Sequence, residues 1–369
     1  MSTSRLLTRL EADIAAATDP VAADCLRAER ASYLARQGRF DEAREVLEQL
    51  RARYGKAPRV EVSIWINLVD GLVSYFTDTG RQAVDKIMRA SALSSAANIA
   101  PLSALCLGWL AHTDFAALRI EAMARNLKEA WLLLAPEQSA GVTRLALVMA
   151  EALHFADRLD LAMPWYALAK RHANMLGDDA TISASMHNMT VMKVANRRQR
   201  ALRAMSSNSQ GGFELQSAKS TSNYDEQIGA NSLTSQLATV RAQVLTLEGE
   251  FASALDIYTS IFEAAAAQGM QRFFSTMLSD RAWCQANLGH LEAALADCQM
   301  AEAKLIPETQ IDDVATAHSR LAQTYALLHM PEEAKRQSEL AAAAWSEVDK
   351  LNARIVELLQ SLPHERLNL

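Results

Sequence analysis

The chain has 369 residues, a net charge of −6, and half of its residues are apolar. That length predicts two domains or one repetitive array. The acid excess argues against nucleic acid or anionic lipid as partners, and four cysteines in so long a chain argue against a disulfide scaffold. Alanine is over-used at 67 residues, while Gly (13), Pro (8) and aromatics (6 %) are scarce. This mix favours helix and starves the chain of the turns that sheets and phosphate loops need.

Residues 4–17 read as a helical cap. Glu11 and Asp13 stand where a signal peptide needs its apolar run. Asp19-Pro20 reads as an N-cap followed by a first-turn proline. From there one module recurs, over 31–47, 71–87, 150–166, 242–258, 282–298 and 322–338. A small residue sits in an apolar-periodic segment; then come a turn, an alanine and a second apolar segment. The alanine falls at 43, 83, 162, 254, 294 and 334, with weaker copies around Ala122 and Ala201. The period is 40 residues, with 13 extra between Ala201 and Ala254, which predicts eight units.

Each unit reads as two helices, A and B. Leu237, Val240, Val244 and Leu247, then Ala254, Ile257 and Ile261, recur at helical steps. Gly38, Gly249 and Gly289 mark the turns. The alanine lets two antiparallel helices approach to about 8–9 Å. The bulky residue four later (Leu47, Ile87, Tyr166 or Tyr258) fills the gap against the next unit. One unit cannot bury that face alone, so the units stack.

The longest uncharged apolar run, Ile99 to Ala111, has 13 residues. A membrane span takes about 20, so no membrane insertion is expected. With reduced thiols this predicts a cytoplasmic protein. Arg outnumbers Lys 28 to 9, a bias that with the alanine excess points to a bacterial source.

Two stretches break the pattern. Residues 206–229, rich in Ser, Asn, Gln and Gly, predict a long loop or mobile insert between repeats in 1–205 and repeats in 230–369. Near the end, Trp345, Val348, Leu351, Ile355, Leu358 and Leu359 form one stripe over 345–361, which predicts a capping helix with a frayed tail at 363–369.

Leu321-Ala322, Tyr325 and Ala334, with the pairs Ala254–Tyr258 and Ala162–Tyr166, resemble the tetratricopeptide repeat over roughly 20 to 345. The usual unit has about 34 residues. The longer unit here resembles the repeats of large bacterial transcription activators of the maltose-regulator type. The resemblance implies an all-α, right-handed helical-repeat solenoid whose A helices line a concave groove. It also implies a non-enzymatic scaffold or adaptor that binds a protein or peptide there. A ligand- or peptide-responsive sensor acting on a separate output protein is the alternative.

Phosphate-loop, dinucleotide, nucleophile-elbow and zinc-protease motifs are all absent from the sequence. Glu151-x-x-His154 has the spacing of a di-iron half-site. No second pair exists, so the two read as polar groups on the inner face of an A helix. Cys284, His290 and Cys298 lack zinc spacing, and Cys298 occupies a packing slot. No cofactor or metal is expected. The run Lys193, Arg197, Arg198, Arg200 and Arg203 reads as a solvated face or a grip for an acidic segment. Glu214, Asp225 and Glu226 are near enough in sequence to neutralise it.

Stepping at helical spacing from the packing alanines predicts the groove. Trp65, Tyr75, Phe76 and Trp283 are its aromatic anchors, and Arg144, Glu151, His154 and Lys193 its charged and titratable groups. Gln236, Thr239, Gln243, Ser279, Asn287 and Gln323 form a polar stripe suited to an extended peptide backbone.

Overall fold

In the computed structural model the described residues are 4–78, 81–135, 138–204, 211–228, 234–267, 270–307 and 309–362. They form helices and no strand. A leading helix, α1 (Arg5–Ala16), precedes eight pairs. The first four are α2 (Pro20–Arg36) with α3 (Phe40–Tyr54), α4 (Val60–Asp78) with α5 (Arg81–Ala96), α6 (Ala100–Ala116) with α7 (Ile120–Leu133), and α8 (Ser139–Phe155) with α9 (Leu159–Leu176). The rest are α10 (Asp179–Leu202) with α11 (Gly211–Ile228), α12 (Thr234–Leu247) with α13 (Phe251–Ala267), α14 (Phe274–Asn287) with α15 (Leu291–Ala303), and α16 (Ile311–Leu327) with α17 (Pro331–Gln360). The fold is an all-α helical-repeat solenoid. No described helix is long and apolar enough to cross a membrane.

The packing follows the repeat. Ala43, Ala83, Ala162, Ala254 and Ala294 are fully buried, as are Leu47, Ile87 and Tyr258, four residues after three of them. The A-to-B turns place Gly38, Leu118, Asp157, Gly249, Gly289 and His329 at positive φ, so the same left-handed turn returns at the repeat spacing. Glycine reaches that conformation freely; Leu118, Asp157 and His329 are held there by the closure of the pair. Asp19 caps α2 by accepting from the Val21 and Ala22 amides, with Pro20 in the first turn.

Three expectations need correction. The segment 206–229 is not a loop: its described part, 211–228, is α11, the B helix of the fifth pair. Its polar side chains find partners on α10. Glu214 pairs with Arg197, Asp225 accepts from Ser183, Ser217 bonds Thr190 at 2.9 Å, and Ala218 packs at 2 % exposure. Tertiary contacts outweigh weak helix propensity there. Residues 206–210 and 229 lie outside the described ones. Ala201, taken as a post-turn alanine, sits at the end of the 24-residue α10. The stripe 345–361 is not a separate cap but the second half of the 30-residue α17. It runs back to α7 and α8, where Ile355, Leu359 and Leu362 join the core of the early repeats and Arg354 meets Glu121 at 3.1 Å. The tail 363–369 lies outside the described residues.

At the other end α1 packs on α2 and reaches the turn before α10. Leu6 donates its amide to the Gly177 carbonyl at 3.1 Å, and Arg5 pairs with Asp179 at 2.8 Å. Gly177 has φ +70°, and a Cβ there would come within 2.8 Å of the Arg5 Cβ. Only glycine meets both demands. Arg36 of α2 also pairs with Asp178 at 2.6 Å. The first and fifth repeats therefore touch, and the superhelix closes on itself.

Candidate functional site

Closure turns the groove of the first five repeats into a lumen walled by α2, α4, α6, α8 and α10. At one level it widens into a cavity of about 320 Å³, to which all five helices contribute. Trp65, Leu102, Leu105 and Trp109 supply an apolar wall, and Ser139, Thr143 and Thr181 supply hydroxyls. Arg144 is 7 % exposed and holds its guanidinium 3.6 Å from the Trp109 ring centroid. Gly108 makes this possible, because a Cβ there would lie 2.9 Å from the Arg144 Cγ. No carboxylate among the described residues pairs with Arg144, whereas Arg36 on the facing wall is engaged by Asp178 and Thr181. Burial pushes the Arg144 pKa down to about 10, so it remains a cation at neutral pH.

Two helical turns deeper lies a polar row. The Tyr75 hydroxyl is 3.2 Å from His112 Nε2, His112 Nδ1 is 3.5 Å from Glu151 Oε2, and the Asn188 side-chain amide donates to Glu151 Oε1. These four residues come from α4, α6, α8 and α10. Glu151 is 3 % exposed. Burial pushes the Tyr75 phenol up, and the charges of Arg272, Glu151 and Arg144 all reach it. The later repeats add Asp312 and Asp313 at the start of α16. Burial and mutual repulsion push Asp313 up to about 8, against the opposing pull of Arg272 and Arg198.

The residues singled out from sequence divide. Trp65 and Arg144 line the cavity, while Tyr75 and Glu151 belong to the polar row around His112. Phe76 packs on the core, edge-on to Trp109 at 6.2 Å. His154 is 2 % exposed and lies 3.3 Å from the Tyr166 hydroxyl; burial lowers its pKa to about 4, which leaves it a neutral packing group. Lys193 is half-buried on α10. Gln236 accepts from His187 Nε2 at 3.0 Å. Thr239 and Ser279 are buried and donate to their own helices, at Ser235 and Thr276. Gln243 is half-buried and Asn287 exposed, the latter donating to the Trp283 carbonyl at 2.8 Å. Trp283 is half-buried under Arg320, whose guanidinium lies 5.1 Å from its ring and binds Gln323 at 2.8 Å. The continuous amide stripe is thus broken up by bonds within the chain.

The basic run is spent on the fold. Arg197 pairs with Glu214 and Glu248, Arg198 with Asp280 at 2.7 Å, Arg200 with Asp157 at 2.7 Å and Arg203 with Asp349 at 2.7 Å. Helix α10 is therefore the electrostatic hub that ties five other segments together. The Glu226 side chain lies outside the described residues. Cys284 and Cys298 are fully buried in separate apolar clusters, and no metal-binding cluster occurs among the described residues.

Sequence reasoning missed His112, Trp109 and Asn188. The signal was available: His112, Glu151 and Asn188 succeed one another at close to the repeat spacing, so one inner position generates the next.

No family model matches the chain, and no curated protein matches it. Among solved structures it is similar to a Rap protein complexed with competence and sporulation factor, with a TM-score of 0.54 at 13 % identity. The match covers 94 % of this chain and 92 % of that one. At such low identity the likeness shows a shared helical-repeat fold.

Proposed function

We propose that this chain is a non-enzymatic interaction module that binds a short peptide, or an extended segment of a protein, in the lumen of its closed superhelix. The observation that supports this most directly is the row Tyr75–His112–Glu151–Asn188, four polar groups from four successive repeats facing one channel. A peptide strand carries donors and acceptors at short regular intervals, and such a row can satisfy them without reading each side chain. The Asp312–Asp313 pair farther along favours a cationic residue in the partner, since a positive charge relieves their repulsion. The structurally similar Rap protein is complexed with competence and sporulation factor, which fits this reading.

A regulatory sensor is the second reading. It is favoured by the contacts between distant repeats, Arg36–Asp178 and the hydrogen bond from Gln310 to the Ala116 carbonyl, which a bound ligand can strengthen or break.

Selection of the full chain against a displayed random-peptide library tests the proposal. Enriched peptides should carry Lys or Arg and bind Glu151→Gln and Asp313→Asn about tenfold more weakly. Failure to enrich, or binding indifferent to both substitutions, overturns it.

A further inference from the structure

Arg144 asks for a partner that the protein does not supply. The residue is more than nine-tenths buried, holds its guanidinium over an indole and borders a cavity. Buried cations in folded proteins are ordinarily paired, because an uncompensated charge away from water is costly. The other cation that lines the cavity, Arg36, has Asp178 as its acceptor. Arg144 has the Trp109 face and, among the described residues, no carboxylate in ion-pair contact; Glu151 and Asp178 act on it only from a distance.

We infer that this cavity is a binding site for a small organic monocarboxylate with an apolar, ring-sized body. The planar guanidinium offers two parallel donors, the geometry that a carboxylate matches. Trp65, Trp109, Leu102 and Leu105 offer a wall for a flat apolar group. The opposite wall carries Glu29, whose acid is pushed up by burial, and Asp178, already engaged by Arg36. A second negative charge on the ligand would meet those two carboxylates, so one anionic group is the limit. The volume, about 320 Å³, suits a compact molecule and falls at the low end of small-ligand pockets. The site does not depend on the peptide reading, whose polar row lies two helical turns deeper.

Phenylacetate, phenylacetamide and inorganic phosphate are the probes, each titrated into the full chain by calorimetry and followed by tryptophan fluorescence. Phenylacetate should bind at least roughly tenfold more tightly than its neutral amide, because only the acid pairs with the guanidinium. Phosphate, lacking an apolar body, should bind more weakly than phenylacetate. Arg144→Gln should erase the difference between acid and amide, and Arg144→Lys should restore part of it. Equal binding of acid and amide, phosphate binding as tightly as phenylacetate, or no phenylacetate binding up to about 10 mM overturns the inference. If Arg144→Gln does not fold by circular dichroism, the comparison of acid with amide on the unaltered chain still decides.

Discussion

Arg36 and Asp178 are separated by 142 residues in sequence and by 2.6 Å in space. This contact sets the shape of the molecule, since it joins the first repeat to the fifth and converts an open groove into a lumen. Asp178 also caps α10, accepting from the Thr181 amide and hydroxyl at 3.0 Å.

Removing one partner of this nearly buried pair leaves an uncompensated charge. Arg36→Ala should therefore cost about 3 kcal/mol. Asp178→Ala should cost more, because it also removes the cap, worth about 1 kcal/mol. Hydrogen exchange should show the loss first at residues 5–8 and 177–181. Uniform loss of protection across all repeats would mean that the pair is not a local clasp.

The packing register makes a sharper demand. Ala254 is fully buried beside Tyr258 and Ala242, so Ala254→Leu should overpack the crossing and cost about 1–3 kcal/mol. Ala264, exposed on the same helix α13, should accept leucine with little change, whereas Ala265 next to it is fully buried and should not. Thermal melts of the three variants check the order.

Much of this was legible in the sequence. The alanines at a spacing of 40 announced the helix pairs other than the fifth, because close helix crossings demand a small side chain and stacking demands repetition. The fifth pair was not legible. Its B helix is held by Glu214, Ser217 and Asp225 bonding across to α10, and a polar interface looks like a loop when read one residue at a time. The turns at Leu118 and His329 were equally silent, since nothing in either residue asks for positive φ. The lumen was half legible. Repeat spacing pointed to Tyr75, Arg144 and Glu151, but superhelix closure rests on single long-range pairs such as Arg36–Asp178, which leave no periodic trace. Helical spacing also could not tell an inward side chain from one folded onto its own backbone, as Thr239 and Ser279 are.

Two groups give the chain a pH signature on opposite sides. His154 titrates at about 4 in the folded state, below its ordinary 6.5. The unfolded chain binds the proton more readily, so this contribution is complete above pH 6.5 and falls away as pH drops toward 4, by about 3 kcal/mol. Asp313 behaves oppositely. Its folded value of about 8 lies above the ordinary 3.8, so the native state holds the extra proton and stability is lost as pH rises through 8. Urea titrations should show His154→Gln flattening the acid limb. The stabilisation by Asp313→Asn should grow from pH 4 to pH 8 and level off above. A pH-independent effect of Asp313→Asn would contradict a half-buried carboxylate repelled by Asp312.

Trp283 decides whether the later repeats also bind a partner. On α14, Ser279, Trp283 and Asn287 share one face, and along it they pass from buried through half-buried to exposed. Trp283 is edge-on to Phe251 at 6.4 Å, and Arg320, fixed by Asp280 at 2.9 Å, covers its ring. It does not belong to the buried clusters on either side of it. If it is a groove anchor, Trp283→Ala should weaken a selected partner by about 2 kcal/mol or more, while costing less stability than Ala254→Leu. If it is a core residue, truncation should cost about 3–5 kcal/mol of folding stability. Gln243→Ala and Asn287→Ala, whose side chains lie nearer solvent, should each cost on the order of 1 kcal/mol of binding. Melting temperature and partner affinity measured on the same Trp283→Ala protein separate the two roles. Unfolding of the later repeats, or unchanged affinity, would assign the tryptophan to packing and confine recognition to the lumen of the first five repeats.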